Sequence, residues 1–320
     1  MSQPFWNPEL SPDKEPFHVL IKRGDFIDKK RGGRHVPYKI YYPANHGMPS
    51  LPVIFWSHGF GGNRDGASFI SRFLTAHGYV VVHMTHTGTD SSLWEGKQGH
   101  PWDVLKQAKI SRETMLSRFQ DIGFVFDALE HWAKENPEET DMDFSRVGIS
   151  GHSMGAMTSE VMAGMLFPDV HDKFISMKES RFKAGILYSP VPIAHLVGEE
   201  RAVEAYQPIT LPLFYMTGTE DDSPIENFGY RERLKIYEES RATEKQLLIL
   251  QDGDHMVYNG TRGKLAVNPK RGRHEDIIKI GALAFWDMHL KGDEKAKEWL
   301  TAGGFAAYIG DDGTYEAQGT

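Results

Sequence analysis

The stretch "VGISGHSMGAM" (147–157) decides how the rest of the chain is read. It runs from a β-branched apolar segment into Gly151-His152-Ser153-Met154-Gly155 and then into small and flexible residues. A strand that turns sharply into a helix at Ser153 holds that residue in an unfavourable backbone conformation. Glycine two positions to either side removes the Cβ atoms that would strike the main chain. Such a turn lifts the serine hydroxyl clear of a sheet, at the positive end of the following helix. The pattern G-x-S-x-G is weak alone. Its setting, a buried strand before it and a helix from about Met154 to Leu166 after it, points to Ser153 as a nucleophile. The Met154 N–H then faces a substrate oxyanion.

A serine hydroxyl needs a base, and the base needs an orienting acid. Toward the C-terminus, the strand "LPLFYMTG" (211–218) runs into "TEDDSP", which offers Glu220, Asp221 and Asp222. The strand "KQLLILQ" (245–251) runs into "DGDHMVYNG", which offers His255. One of the two adjacent aspartates is free to cap the turn before Pro224. Toward the N-terminus, "WSHGFGGNRD" (56–65) is a buried strand opening into a glycine-rich loop. Its main chain can approach a substrate closely, with the Phe60 N–H as a second oxyanion donor. His58 reads as a structural hydrogen-bonding residue of that loop.

Short apolar strands alternate with longer segments of helical period along most of the chain. "FHVLIK" (17–22) and "YKIYYPA" (38–44) are joined without a helix and read as an antiparallel pair. "PVIFWSH" (52–58), "YVVVHM" (79–84), "RVGIS" (146–150) and "FKAGILYS" (182–189) are nearly continuous apolar runs, suited to strands buried on both faces. Ser111 opens the clearest helix, 111–135, in which Met115, Phe119, Ile122, Phe126 and Leu129 share one face. Further helices are expected near 228–240 and 275–290, with Gly292 as a stop. The pattern predicts an α/β fold with a mostly parallel central sheet and helices on both faces. It is expected as one domain over 17–320 behind an extended arm, 1–16.

Two long stretches without clear period, 86–110 and 190–210, follow strands at the sheet end where α/β folds place their ligands. Trp94 and Trp102 in the first, and Tyr258 beside His255, are candidate pocket residues. His83, His86 and Asp90 lack a matching partner set for a metal site. Arg118 and Asp121, one turn apart, are expected as an ion pair on the long helix.

The chain has 320 residues, a net charge of −8, 40% hydrophobic and 25% charged residues, and no cysteine. That balance suits a soluble globular protein, and the mild acidity argues against a nucleic-acid surface. Without cysteine there is no disulfide and no thiolate nucleophile. No apolar run approaches the length of a membrane span, and "MSQPFWNPELSPDKEP" has no secretory signal character, so the cytoplasm is the expected compartment.

"SHGFGGNRD", "GISGHSMGA", "MTGTEDDSP" and "DGDHMVYNG", in that order, resemble the α/β-hydrolase superfamily. The likeness extends over roughly 35–290 and leans toward esterases like platelet-activating-factor acetylhydrolases and dienelactone hydrolases. It implies Ser153 as nucleophile, His255 as base, Asp221 (three residues after Gly218) as acid, and Phe60 and Met154 as oxyanion donors. Dienelactone hydrolases proper use a cysteine nucleophile, so a cyclic enol-lactone substrate is not implied. The expected function is a serine carboxylic-ester hydrolase needing no cofactor. Its expected partner is a small ester of short acyl chain or compact shape, because neither long loop sustains the broad apolar face of an interfacial lid. A serine peptidase or amidase, a cutinase-like polyester hydrolase and a non-catalytic protein on the same fold are the alternatives.

Overall fold

The computed structural model describes residues 5–136, 141–260 and 268–319. Eleven strands and ten α-helices alternate along them. Strands β1 (Val19–Asp28), β2 (Arg34–Pro43) and β3 (Leu51–Ser57) come first, followed by α1 (Ser68–Ala76) and β4 (Val80–Met84). Helices α2 (Pro101–Gln107) and α3 (Arg112–Glu135) lead to β5 (Met142–His152) and α4 (Met154–Ala163). A two-residue pair, β6 (Phe167–Pro168) and β7 (Phe174–Ile175), precedes β8 (Phe182–Tyr188), α5 (Ala194–Val197) and α6 (Glu199–Tyr206). Then come β9 (Leu213–Glu220), α7 (Tyr230–Glu239), β10 (Lys245–Asp254) and α8 (Arg271–Trp286). Helices α9 (Glu294–Thr301) and α10 (Gly304–Ile309) and strand β11 (Gly313–Gln318) close the chain.

Nine strands form one sheet in the order β1-β2-β4-β3-β5-β8-β9-β10-β11. The six from β4 to β10 are parallel, while β1 and β2 at one edge and β11 at the other run antiparallel to their neighbours. Every residue of β3 and β4 is buried, as a central strand covered on both faces requires. Alternate residues of β3 serve opposite cores. Val53 and Phe55 pack with Phe119, Ile122 and Phe126 of α3 and with Ile236 of α7. Ile54 and Trp56 pack with Ile70 and Phe73 of α1, Trp286 of α8 and Phe305 of α10. The expected α/β architecture is present, with helices on both faces of a mostly parallel sheet.

Three regions differ from the sequence expectation. The stretch 86–110 contains α2, and 190–210 contains α5 and α6. Beyond Gly292, whose φ of 67° ends the α8 segment, the chain folds on into α9, α10 and β11. Residues 5–16, expected as an extended arm, run through turns and pack down. Trp6 Nε1 donates to Asp287 at 3.1 Å, the Phe5 and Trp6 rings lie on Trp299, and Leu10 is buried. Aromatic burial outweighs the solvation that would keep such an arm free.

Candidate active site

Ser153 sits between the end of β5 and the first residue of α4, with φ 57° and ψ −121°. A non-glycine residue held there costs about 1–3 kcal/mol, so the surroundings must hold it. The flanking glycines show how. A Cβ on Gly155 would lie 1.9 Å from the Ser57 carbonyl oxygen, and one on Gly151 would lie 2.3 Å from the Gly155 carbonyl. The helix can start against the end of β3 only if both positions lack side chains. Ser153 N–H donates to the Tyr188 carbonyl at 2.9 Å, which fixes the turn to β8. The hydroxyl faces the cavity and makes no hydrogen bond among the described residues.

Asp221 follows β9 and His255 follows β10, on adjacent parallel strands. The two loops are drawn together where Gly218 and Gly253 touch main chain to main chain; a Cβ on Gly218 would lie 2.3 Å from the Gly253 carbonyl oxygen. His255 Nδ1 then lies 2.8 Å from Asp221 Oδ1. Of the three acidic candidates, Asp221 is fully buried against the imidazole, while Glu220 and Asp222 are exposed. Ser189 Oγ donates to Asp221 Oδ1 and Thr217 Oγ1 to Oδ2, both at 2.8 Å, and Arg233 Nη2 stands 3.1 Å from Oδ1. Burial alone would raise this carboxyl, but the Arg233 charge and the His255 and Ser189 hydrogen bonds outweigh it and hold its pKa at about 2. His255 and Ser153 both border one cavity, with no hydrogen bond between them among the described residues; such catalytic bonds commonly tighten only around a substrate.

The cavity measures about 1320 Å³ and is bordered by Phe60, Met154, Trp94 and Trp102. It is larger than a compact ester alone would need, and residues of α2 (Trp102, Leu105) and α5 (His195, Leu196) form part of its border. The N–H groups of Phe60 and Met154 have no acceptor among the described residues. The Phe60 loop lies on the serine turn: a Cβ on Gly59 would sit 3.3 Å from Ser153 Cβ. Trp94 Nε1 donates to the Gly61 carbonyl at 2.7 Å, so this ring braces the loop as well as bordering the cavity. Tyr258 does not border it. The turn Val257–Asn259 carries that ring into the core beside Tyr188, which corrects the expectation of a substrate contact.

A second constellation lies directly beneath the Phe60 loop. Ser57 Oγ is 3.0 Å from His86 Nε2, and His86 Nδ1 is 3.0 Å from Asp121 Oδ2, with all three side chains sealed from solvent. Arg118 and Asp121 do not pair with each other as expected. Asp121 is gripped by Arg34, through Nε at 2.7 Å and Nη2 at 2.8 Å. Arg118 points across the helix packing instead, donating to Thr158 Oγ1, Thr89 Oγ1, Ser57 Oγ and the His58 carbonyl. It thereby ties β3, the 86–93 loop and α4 together under the candidate oxyanion site. His58 serves the same loop, with Nδ1 on the Gly59 carbonyl and Nε2 accepting from His86 N–H. His83, His86 and Asp90 point apart: His83 meets Ser71 at 2.6 Å, and Asp90 accepts from Ser92 Oγ at 2.8 Å.

Arg118, His86, Ser189 and Arg233 escaped the sequence reading as site residues. For the two arginines a signal existed. Arg118 falls three residues after Met115 and four before Ile122, and Arg233 three before Ile236, so both lie on buried helix faces. A cation at such a position needs a polar destination.

No family model matches the chain. It is similar to a platelet-activating factor acetylhydrolase of Cavia porcellus, at 22% identity over 335 aligned positions that take in 90% of this chain and 70% of that protein. At that level the likeness supports an α/β-hydrolase-like esterase family without singling out a member. No helix among the described residues is long and apolar enough to cross a membrane.

Proposed function

We propose that the chain is a serine carboxylic-ester hydrolase. The observation that carries this reading is the buried Asp221–His255 pair, 2.8 Å apart, at the wall of the cavity into which a strained turn directs Ser153. In this reading Ser153 Oγ attacks the ester carbonyl carbon while His255 Nε2 takes the hydroxyl proton. The carbonyl oxygen becomes an oxyanion, met by the Phe60 and Met154 N–H groups. The bond to the alcohol oxygen then breaks, and His255 returns its proton to the departing alkoxide. A water molecule next gives a proton to His255 and attacks the acyl-enzyme. The acid leaves, and Ser153 recovers its hydrogen. The residues in these roles complete the reaction without a cofactor. The similar acetylhydrolase is named for hydrolysis at an acetyl group, which fits the same chemistry.

The substrate we propose is a single ester held within the cavity, without activation at a lipid surface. Its volume, about 1320 Å³, exceeds the ~300–1,000 Å³ common for ligand pockets, so the site has room beyond a short acyl chain. The test is rapid mixing with p-nitrophenyl butyrate. An initial burst approaching one nitrophenol per chain, followed by steady turnover, is expected, and Ser153→Ala should abolish both while remaining folded. A folded Ser153→Ala protein that still turns over the ester would contradict the mechanism. Comparing kcat/KM for butyryl and decanoyl esters below their solubility limits then measures how much of the cavity the acyl group uses.

A further inference from the structure

Arg233 is fully buried on α7, yet its guanidinium is shared between the two side chains expected to move the proton. Nη2 lies 3.1 Å from Asp221 Oδ1 and 3.2 Å from His255 Nδ1. Nε donates to the Asp221 carbonyl at 3.0 Å, and Nη1 donates to the carbonyls of Ser189 and Pro190 at 3.3 and 2.8 Å. Four contacts, to the Asp221 carboxylate and to the Asp221, Ser189 and Pro190 carbonyls, anchor the head on two loops, so the charge has no freedom to swing away. It does not border the cavity. Among the described residues, the titratable side chains it touches directly are the acid and the imidazole.

The groups around His255 leave Arg233 as the nearest cation among the described residues. Asp221 and Ser189 meet Nδ1. His152, at the end of β5, lies tilted against the ring at 4.7 Å between centres, and its Nε2 meets the His255 carbonyl; burial depresses this imidazole to about 3, so it is neutral. Asp254 is occupied with the N–H groups of Met256 and Val257. Glu160 of α4 and Tyr258 are buried nearby, and burial raises both well above their usual ranges. Asp222 and Glu226 act on Arg233 from farther away, at the loop leading to α7.

We infer that Arg233 is a positioning residue of the Asp221–His255 pair, and that its charge sets the acid limb of ester hydrolysis. A fixed cation 3.2 Å from Nδ1 raises the energy of an imidazolium, and it divides the attention of the carboxylate that would stabilise one. Replacing the guanidinium by a neutral group of similar size removes that repulsion and leaves the carboxylate to the imidazole alone. Its forked hydrogen bonds also hold the Asp221 loop against the Ser189 loop, which aligns the carboxylate with Nδ1.

The inference rests on the proposed esterase reading and is tested with the full chain. Ester hydrolysis followed by pH-stat from pH 4.5 to 9 gives kcat/KM for wild type, Arg233→Gln and Arg233→Lys. The acid limb of Arg233→Gln should move upward by about one pH unit or more, with KM changing less than about twofold. Arg233→Lys keeps the charge but loses the fork, so kcat falls while the limb stays in place. If the glutamine variant does not fold, Arg233→Met fills the same space without a second unpaired polar group. A limb unmoved in the neutral variant, or rates lowered by one factor at every pH, would overturn the inference and leave Arg233 as a structural brace. Wild type that neither hydrolyses esters nor reacts with a fluorophosphonate would instead overturn the esterase reading itself.

Discussion

Two serine–histidine–aspartate groups lie close together in this molecule, one beneath the Phe60 loop and the other beside it. In the lower one, Ser57, His86 and Asp121 are linked by two 3.0 Å contacts, a better-closed chain than Ser153, His255 and Asp221 present. Yet Ser57 Oγ already accepts from Arg118 at 2.8 Å and has no space in front of it. Burial, reinforced by the Arg118 charge, pushes His86 down to about 4, so that imidazole does not take a proton near neutral pH. The upper group has a loose serine, but that serine borders a cavity and lies beside two N–H groups that have no acceptor among the described residues. Residue type and hydrogen bonding do not separate a reactive group from a scaffold. Access and the destination of the proton do.

The largest separation is expected at the serines. Ser153→Ala should lower kcat by a factor on the order of 10⁶, as loss of the nucleophile does in a serine protease. Ser57→Ala should leave turnover per folded molecule within about tenfold and instead cost about 1–3 kcal/mol of stability, by stranding a donor of Arg118 and the Nε2 acceptor of His86. Comparable losses of kcat in the two variants would erase the distinction. At the acids, Asp221→Asn should reduce kcat by about 10⁴ through loss of the imidazole tautomer. Asp121→Asn leaves Arg34 without its buried partner and should cost about 3–5 kcal/mol in urea unfolding, with most of the chemistry retained.

Smaller, and shared with other sites, is the effect of acid on the scaffold. Burial holds His86 at about 4 and His83 and His152 at about 3. Each binds its proton more readily unfolded, near 6.5, than folded, so the unfolded state gains protons as the pH falls. The stability these groups contribute is fully present above about 6.5 and is lost progressively toward pH 4 and then 3. For His86 the loss is on the order of 3 kcal/mol. Urea midpoints measured between pH 7 and 4.5 should therefore decline; a flat or rising profile would show that these imidazoles are not held neutral. His86→Gln should make the profile shallower.

Much of this arrangement could be read from local signals. Ser153 is placed by its own glycines, and Asp221 and His255 by the strands they follow, so a window of about ten residues carries each position. What escaped depends on distant partners. Strand β11 pairs Gln318 with Lys245 and Leu250 with Gly313, and nothing in "GTYEAQ" announces an edge strand. The N-terminal turns find their aromatic partners nearly three hundred residues away, at Trp299 and Tyr308. Tyr258 looked like a pocket residue because it is three positions from His255, but a turn of 3₁₀ geometry sends it to the opposite side of the loop. Arg118 and Asp121 illustrate the same limit, since spacing of one turn permits a pair but burial on different neighbours decided otherwise.

The most direct measurement is to treat the full chain with a fluorophosphonate and map the adduct by peptide mass spectrometry. The account predicts one adduct per chain, on Ser153, lost in Ser153→Ala, with Ser57 and Ser189 unmodified. An adduct on Ser57 or Ser189, or a folded chain that hydrolyses esters while Ser153 remains unlabelled, would contradict it.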